Sequence, residues 1–306
     1  MFRNNRVLKK LSALIVVLGL GLVLAACGQS STKKSSGSSN DKISVVTSTD
    51  FYGEVAKAVV GNKGTVTSII DKPSMDPHDY EPTTATGKKV ASANVVIANG
   101  IGYDSWMNKL VSKDSKTDFI KVGESIMHKK NGDNPHLWYN PKTMPALAKA
   151  LAAKFAKMQP KNKAYFQKNA EKYINSLKPV SAQLNQLKAK AAKSTNKNVF
   201  VSEPVFDYAI EAMGFKVGNK GFEEAVENET DPTPKMLAQM HKGLQNRKVA
   251  FFVYNKQVSS KTIENLAKMA KQNDVPVLEV TETLPAGHTY KTWMLDQYKA
   301  LNSILK

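Results

Sequence analysis

The chain has 306 residues, with 44 Lys and Arg against 26 Asp and Glu, a formal net charge of +18, and one cysteine. A lone cysteine excludes a disulfide-stapled fold, so an apolar core must hold the body together. Charge of this sign and size invites nucleic acid or an anionic surface as partner, yet no nucleic-acid recognition motif is present.

The N-terminus carries Arg3, Arg6, Lys9 and Lys10, followed by an uncharged apolar run over residues 11–26 and then Cys27. Sixteen apolar residues are short for a membrane span of about 20, so residues 1–26 are predicted to be a cleaved export signal. Leu24-Ala25-Ala26-Cys27 is similar to the lipobox of bacterial lipoproteins. That resemblance implies acylation of Cys27 and anchoring on the outer face of the cell membrane. Residues 28–41 are rich in Ser, Lys and Gly and cannot bury apolar area, so residues 27–41 read as a lipidated flexible tether. Such a tether reaches roughly 20 Å. Loss of residues 1–26 removes four positive charges and no negative ones, leaving +14. An exported chain rarely meets nucleic acid, which removes that partner, and the lysines from 161 to 190 read as a solvated helical face.

The body of about 265 residues exceeds the usual size of a single core, which predicts two lobes. From residue 43, short β-branched runs at 43–49, 66–70, 95–98 and 118–122 alternate with amphipathic stretches at 51–60, 84–93 and 103–111. That alternation predicts parallel βαβ units over residues 42–140. Residues 141–196 contain no strand-like run, and Leu147, Leu151, Phe155 and Met158 recur at helical spacing, so a long helical connector is expected. Pro160 suits a helix start, and Pro179 should kink or divide the second helix. Strand and helix alternation resumes over residues 197–306, predicting a second α/β lobe. The fold class is thus α/β, two lobes each with a mostly parallel sheet flanked by helices.

Two turn-rich segments stand out: Asp76-Pro77-His78-Asp79-Tyr80-Glu81-Pro82 and Asn134-Pro135-His136-Leu137-Trp138-Tyr139-Asn140-Pro141. Each sets a histidine directly after a proline, where a stiff backbone aims the imidazole. Two matched Pro-His turns among five histidines point to metal ligation. In open α/β sheets ligands bind beyond the carboxyl ends of the strands. His78, His136, Glu203 and Glu282 all follow predicted strands, two in each lobe, so a cleft between lobes would gather them around one ion.

Both segments resemble signatures of the zinc- and manganese-binding solute receptors that feed bacterial ABC importers, Asp-Pro-His-x-Tyr-Glu-Pro-Thr and Asp-Pro-His-x-Trp-x-Asp-Pro. The first is matched without a gap from Asp76 to Thr83; in the second, Asn134 and Asn140 replace aspartates. Ser202-Glu203-Pro204-Val205-Phe206-Asp207-Tyr208 resembles the family's Ser-(His or Glu)-x-x-Phe-x-Tyr segment, which places Glu203 as third ligand. For the fourth, Glu282 stands beside Glu279, His288 or water as alternatives. Glu229-Thr230-Asp231-Pro232-Thr233-Pro234 resembles Glu-x-Glu-Pro-Ser-Pro, which implies that Glu229 and Asp231 support the site and cap a helix without binding metal. Tyr80 and Trp138 are expected to wall the site, or else to be ordinary core aromatics. The resemblance spans residues 43–306 and implies an interlobe metal site, a long bridging helix, a membrane permease as partner and a monomeric receptor.

Two imidazoles with one or two carboxylates suit Zn2+, Mn2+ or ferrous iron and disfavour thiolate-loving ions. Glu203 in place of a third histidine leans toward manganese. His128 lies in a short polar loop, and His241 is expected on a helix, structural or solvated. A metal-dependent hydrolase is the other class with such ligands, but no His-Glu-x-x-His helix and no free general base is evident. A lipoprotein adhesin on the same fold is a third reading.

Overall fold

The computed structural model describes residues 42–111, 116–258 and 260–305. The export signal, Cys27 and the tether lie outside these residues. Among the described residues no helix is long and apolar enough to cross a membrane.

The first half runs β1 (Ile43–Thr49), α1 (Asp50–Val60), β2 (Gly64–Ile70), α2 (Thr84–Ala91), β3 (Val95–Ala98), α3 (Met107–Leu110) and β4 (Asp118–Lys121). Its four strands are all parallel, in the order β2-β1-β3-β4. Helices α4 (Thr143–Met158), α5 (Lys163–Ser176) and α6 (Lys178–Lys193) follow. The second half runs β5 (Asn198–Val201), α7 (Asp207–Met213), β6 (Lys216–Val217), α8 (Lys220–Glu227), α9 (Pro234–Gln245), β7 (Phe252–Asn255), α10 (Lys261–Gln272), β8 (Val277–Val280) and α11 (Tyr290–Ile304). Its sheet order, β6-β5-β7-β8, repeats the first, and it too is wholly parallel.

The central strands β1, β3, β5 and β7 are buried along nearly their whole length because both faces of each sheet are covered. Alternate residues leave the sheet on opposite sides. Ile43, Val45, Val95 and Ile97 of the first sheet and Val199, Val201, Val253, Leu278 and Val280 of the second all enter one shared apolar core. The opposite parity faces separate clusters: Val46, Val96 and Ala98 meet Trp106 and Met107, while Phe200 and Phe252 meet Phe222, Met240 and Leu244. The two sheets are therefore not independent cores joined by a linker; they share their inner faces.

The connector is helical, as its periodicity predicts, in three pieces. α4 and α5 pack on α1, whereas α6 packs on α7 and α11. Only Leu177 separates α5 from α6, and Pro179 sits in the first turn of α6, where its missing N–H is not needed. Pro160 opens a single 3₁₀ turn ahead of α5. Helix α8 has no counterpart in the sequence reading: its apolar stripe, Phe222, Ala225 and Val226, is confined to eight residues.

Candidate metal centre

In both sheets the strand order reverses between the first and third strands, and the crevice at such a switch point is where open α/β sheets bind ligands. His78 is placed by the loop after β2. The His78 N–H donates to Asp76 Oδ1 at 2.8 Å, and the Trp106 indole donates to the Pro77 carbonyl at 3.1 Å, so both polar ends of the Pro77–His78 peptide that carries the imidazole are held. The ring stands edge-on to Tyr103 at 4.6 Å.

His136 is fully buried, 0% exposed. Its backbone N–H donates to Asn134 Oδ1 at 2.9 Å, and its ring Nδ1 lies 2.9 Å from the same oxygen. Burial lowers the pKa of this imidazole, so the ring is neutral and carries one N–H. An acceptor facing Nδ1 puts that proton on Nδ1 and leaves Nε2 bare. Nε2 is buried without a hydrogen-bond partner, a lone pair aimed at space beside His78 and Glu282.

Glu282 follows β8. Tyr103 Oη donates to its Oε1 at 2.9 Å, and its backbone N–H donates to Gln257 Oε1 at 2.6 Å. Oε1 lies 3.6 Å from His78 Nε2 and 3.9 Å from His136 Nε2. One ligand atom from each of His78, His136 and Glu282 falls within 4.8 Å of the others. Glu203, just beyond β5, accepts from Asn255 Nδ2 at 2.8 Å and lines the same cleft of about 880 Å³ as His78 and Glu282.

The electrostatics are those of a cation site. Burial pulls the His78 imidazole down, but the hydrogen bond and charge of Glu282 outweigh it, and its pKa is pushed up to about 9. Burial raises the Glu282 carboxyl, and the hydrogen bond and charge of His78, with the Tyr103 hydroxyl, outweigh that and hold it low. At Glu203 burial outweighs the Asn255 hydrogen bond and pushes the carboxyl up to about 8. A divalent ion would displace the His78 proton and supply the positive charge these carboxylates lack.

A family model described as "ZnuA: Zinc-uptake complex component A periplasmic" matches residues 45–304. The chain belongs to this family. Among curated relatives it is 27% identical over 275 residues to the metal ABC transporter substrate-binding lipoprotein SloC of Streptococcus mutans, covering 85% of this chain and 86% of SloC. It is 28% identical over 280 residues to the high-affinity zinc uptake system protein ZnuA of Bacillus subtilis, covering 85% of each. Among solved structures, a manganese-bound S38A mutant of a periplasmic metal-binding protein from Candidatus Liberibacter asiaticus superposes with a TM-score of 0.71 at 18% identity. That superposition covers 87% of this chain and 100% of that one. The zinc-bound ZnuA-like domain of Streptococcus pneumoniae AdcA gives 0.67 at 21% identity, covering 86% and 99%. These likenesses establish the fold.

The other sequence expectations separate by geometry. Glu279 pairs with Lys271 at 3.3 Å, and His288 pairs with Asp296 at 3.3 Å, so both are turned to other partners. Trp138 lies under His136, ring centroids 5.2 Å apart, and packs on Phe51 and Tyr103 inside the shared core; it supports the site from below and is not a wall of the cleft. Tyr80 also is not a wall: it packs on Trp106 at 4.6 Å and bonds Thr86, acting on His78 only through the indole that holds Pro77. Glu229 lines the cleft, with φ of 54°. Asp231 is exposed, outside the cleft lining, and does not cap α9; that role falls to Thr233, whose hydroxyl accepts from the Met236 N–H. His241 is exposed on α9. Tyr103, Asn255, Gln257 and Glu227 belong to the site and were not picked out by sequence reasoning. Tyr103 follows Gly100-Ile101-Gly102 just beyond β3, and Asn255 ends β7, so the strand-end rule that found Glu203 reaches both.

Proposed function

We propose that the chain is an exported receptor that captures one Zn2+ or Mn2+ ion and delivers it to the membrane permease of an ABC importer. The ion is cargo, held by His78, His136, Glu203 and Glu282. The observation that carries this reading is the bare, buried Nε2 of His136, converging with His78 Nε2 and Glu282 Oε1 within 4.8 Å. The names of the relatives support the cargo: SloC is a metal ABC transporter lipoprotein, the Streptococcus mitis relative PsaA is a manganese one, and the Bacillus subtilis relative serves zinc uptake. Receptor function needs ligands contributed by both halves of the chain, so that the ion draws them together. His78 and His136 come from the first half and Glu203 and Glu282 from the second.

In this reading residues 1–26 are cleaved, Cys27 is acylated, residues 27–41 tether a monomer to the outer face of the membrane, and residues 42–140 and 197–306 form the lobes. The protein does no chemistry on its cargo. Metal-stripped full-length chain should melt higher with either ion, gaining about 4 kcal/mol at a thousandfold excess over Kd. His78→Ala and His136→Ala should abolish the shift, and His241→Ala should keep it. A melting curve unmoved by both ions refutes the receptor reading, and lipid labelling that persists in Cys27→Ala refutes the anchor.

A further inference from the structure

Besides Glu203 and Glu282, the cleft is lined by Asp76, Asp79, Glu227 and Glu229, and Glu227 stands out for its approach to a ligand nitrogen. Glu227 is the last residue of α8, and its Oε2 lies 4.0 Å from His136 Nε2. Glu282 Oε1 lies 3.9 Å from the same nitrogen. Bonds from zinc to nitrogen and oxygen run about 2.0–2.2 Å, so two ligands of one ion stand at most about 4.4 Å apart. By this measure Glu227 meets the limit on its distance to His136 as Glu282 does.

Its placement is built. The end of α8 is closed by Asn228 N–H to Glu224 O at 3.1 Å, Thr230 N–H to Ala225 O at 2.8 Å and Thr230 Oγ1 to Ala225 O at 2.9 Å. The chain leaves the helix through Glu229 at φ 54°. A capped helix end therefore delivers the side chain, which is 20% exposed and lines the cleft. A carboxylate at a helix C-terminus faces the negative end of the helix dipole, and Glu203 and Glu282 line the same cleft. A divalent ion between these carboxylates adds an attraction to each of them.

We propose that Glu227 is a further oxygen ligand of the transported ion and the residue that tilts the site toward manganese over zinc. The inference rests on the receptor reading. Two imidazoles with Glu203 and Glu282 make a four-donor set of the kind tetrahedral zinc accepts. A third carboxylate makes five donors, three of them hard oxygens, and hard oxygen donors at higher coordination number suit manganese.

The test is a competition titration of metal-stripped full-length chain with Mn2+ and with Zn2+ against a chromophoric chelator, for wild type, Glu227→Gln and Glu224→Gln. Glu224→Gln removes the same charge from the same helix, at an exposed position outside the cleft lining. Glu227→Gln should raise the Mn2+ Kd roughly tenfold and the Zn2+ Kd about threefold or less, with Glu224→Gln near wild type for both. Equal losses for the two ions, or losses matched by Glu224→Gln, would reduce Glu227 to a background charge and overturn the inference. A wild-type chain that binds neither ion overturns the receptor reading itself, so the two failures are distinguishable.

Discussion

Asn134 stands where the receptor signature has aspartate, and its carboxamide does two things at once. Oδ1 takes the His136 backbone N–H and faces Nδ1, both at 2.9 Å, while Nδ2 donates to the Pro204 carbonyl at 2.6 Å. Neighbours fix the amide's orientation, since a backbone N–H needs an acceptor on one side and a buried carbonyl needs a donor on the other. Asn134→Ala removes the group that keeps the proton on Nδ1, so the bare Nε2 is no longer guaranteed. Loss of such a partner costs 10–100-fold in metal affinity, about 1.4–2.8 kcal/mol. Asn134→Asp separates the two roles. The carboxylate still accepts from His136 and makes the imidazole more basic, so metal affinity should hold or rise. It cannot donate to Pro204, and an unsatisfied buried carbonyl costs about 1–3 kcal/mol of stability in the metal-free protein. Denaturant unfolding in chelator reads the second quantity, and competition titration reads the first. An Asn134→Ala variant that binds metal within about twofold of wild type would refute the tautomer argument, since a partner of this kind is worth at least tenfold.

Gln257 accepts from the Glu282 and Thr283 N–H groups at 2.6 and 3.0 Å and donates to the Pro73 carbonyl at 3.0 Å, stitching Glu282 to the segment that leads to His78. Gln257→Ala should speed metal release roughly tenfold in a stopped-flow chelator chase, as expected for loss of a ligand's supporting partner, and an unchanged rate would show that Glu282 is held without it. Asp207 and Glu223 form a second acidic pair, 7% and 2% exposed, and burial raises both carboxyls above their ordinary range. Folded-state values above the unfolded ones mean that their stabilising protonated forms are fully present in acid. That stability is lost as pH rises from the ordinary carboxylate range through the folded values, at most about 1.4 kcal/mol per pH unit for each group titrating. Glu223→Gln should flatten the decline in unfolding free energy between pH 6 and 9, measured in chelator, and a decline as steep as wild type would place the titration elsewhere.

The parallel sheets were legible because the central strands are short β-branched runs whose two parities are both apolar, as with Val45 and Val46 or Val199 and Phe200. The histidines were legible because proline marks their turns, and Glu203 and Glu282 because they follow strands directly. The supporting residues were harder to see. Tyr103 reaches Glu282 across 179 residues of sequence and Asn255 reaches Glu203 across 52, pairings that no local pattern encodes. Glu227 was hidden with its helix, whose apolar stripe spans only eight residues. Tyr80 and Trp138 fit either a cleft wall or the core in sequence, because aromatic residues beside a ligand look alike whether they line the ligand or pack beneath it.

Receptor function requires one ion bound between His78 and His136. Crystals grown with Mn2+ and with Zn2+ and measured at each metal's absorption edge give anomalous maps that locate the ion without assumption. A single peak about 2.0–2.3 Å from His78 Nε2, His136 Nε2 and carboxylate oxygens of Glu203 and Glu282 is the predicted result. A peak that leaves out His136 Nε2, or no peak in this cleft with either metal, would contradict it.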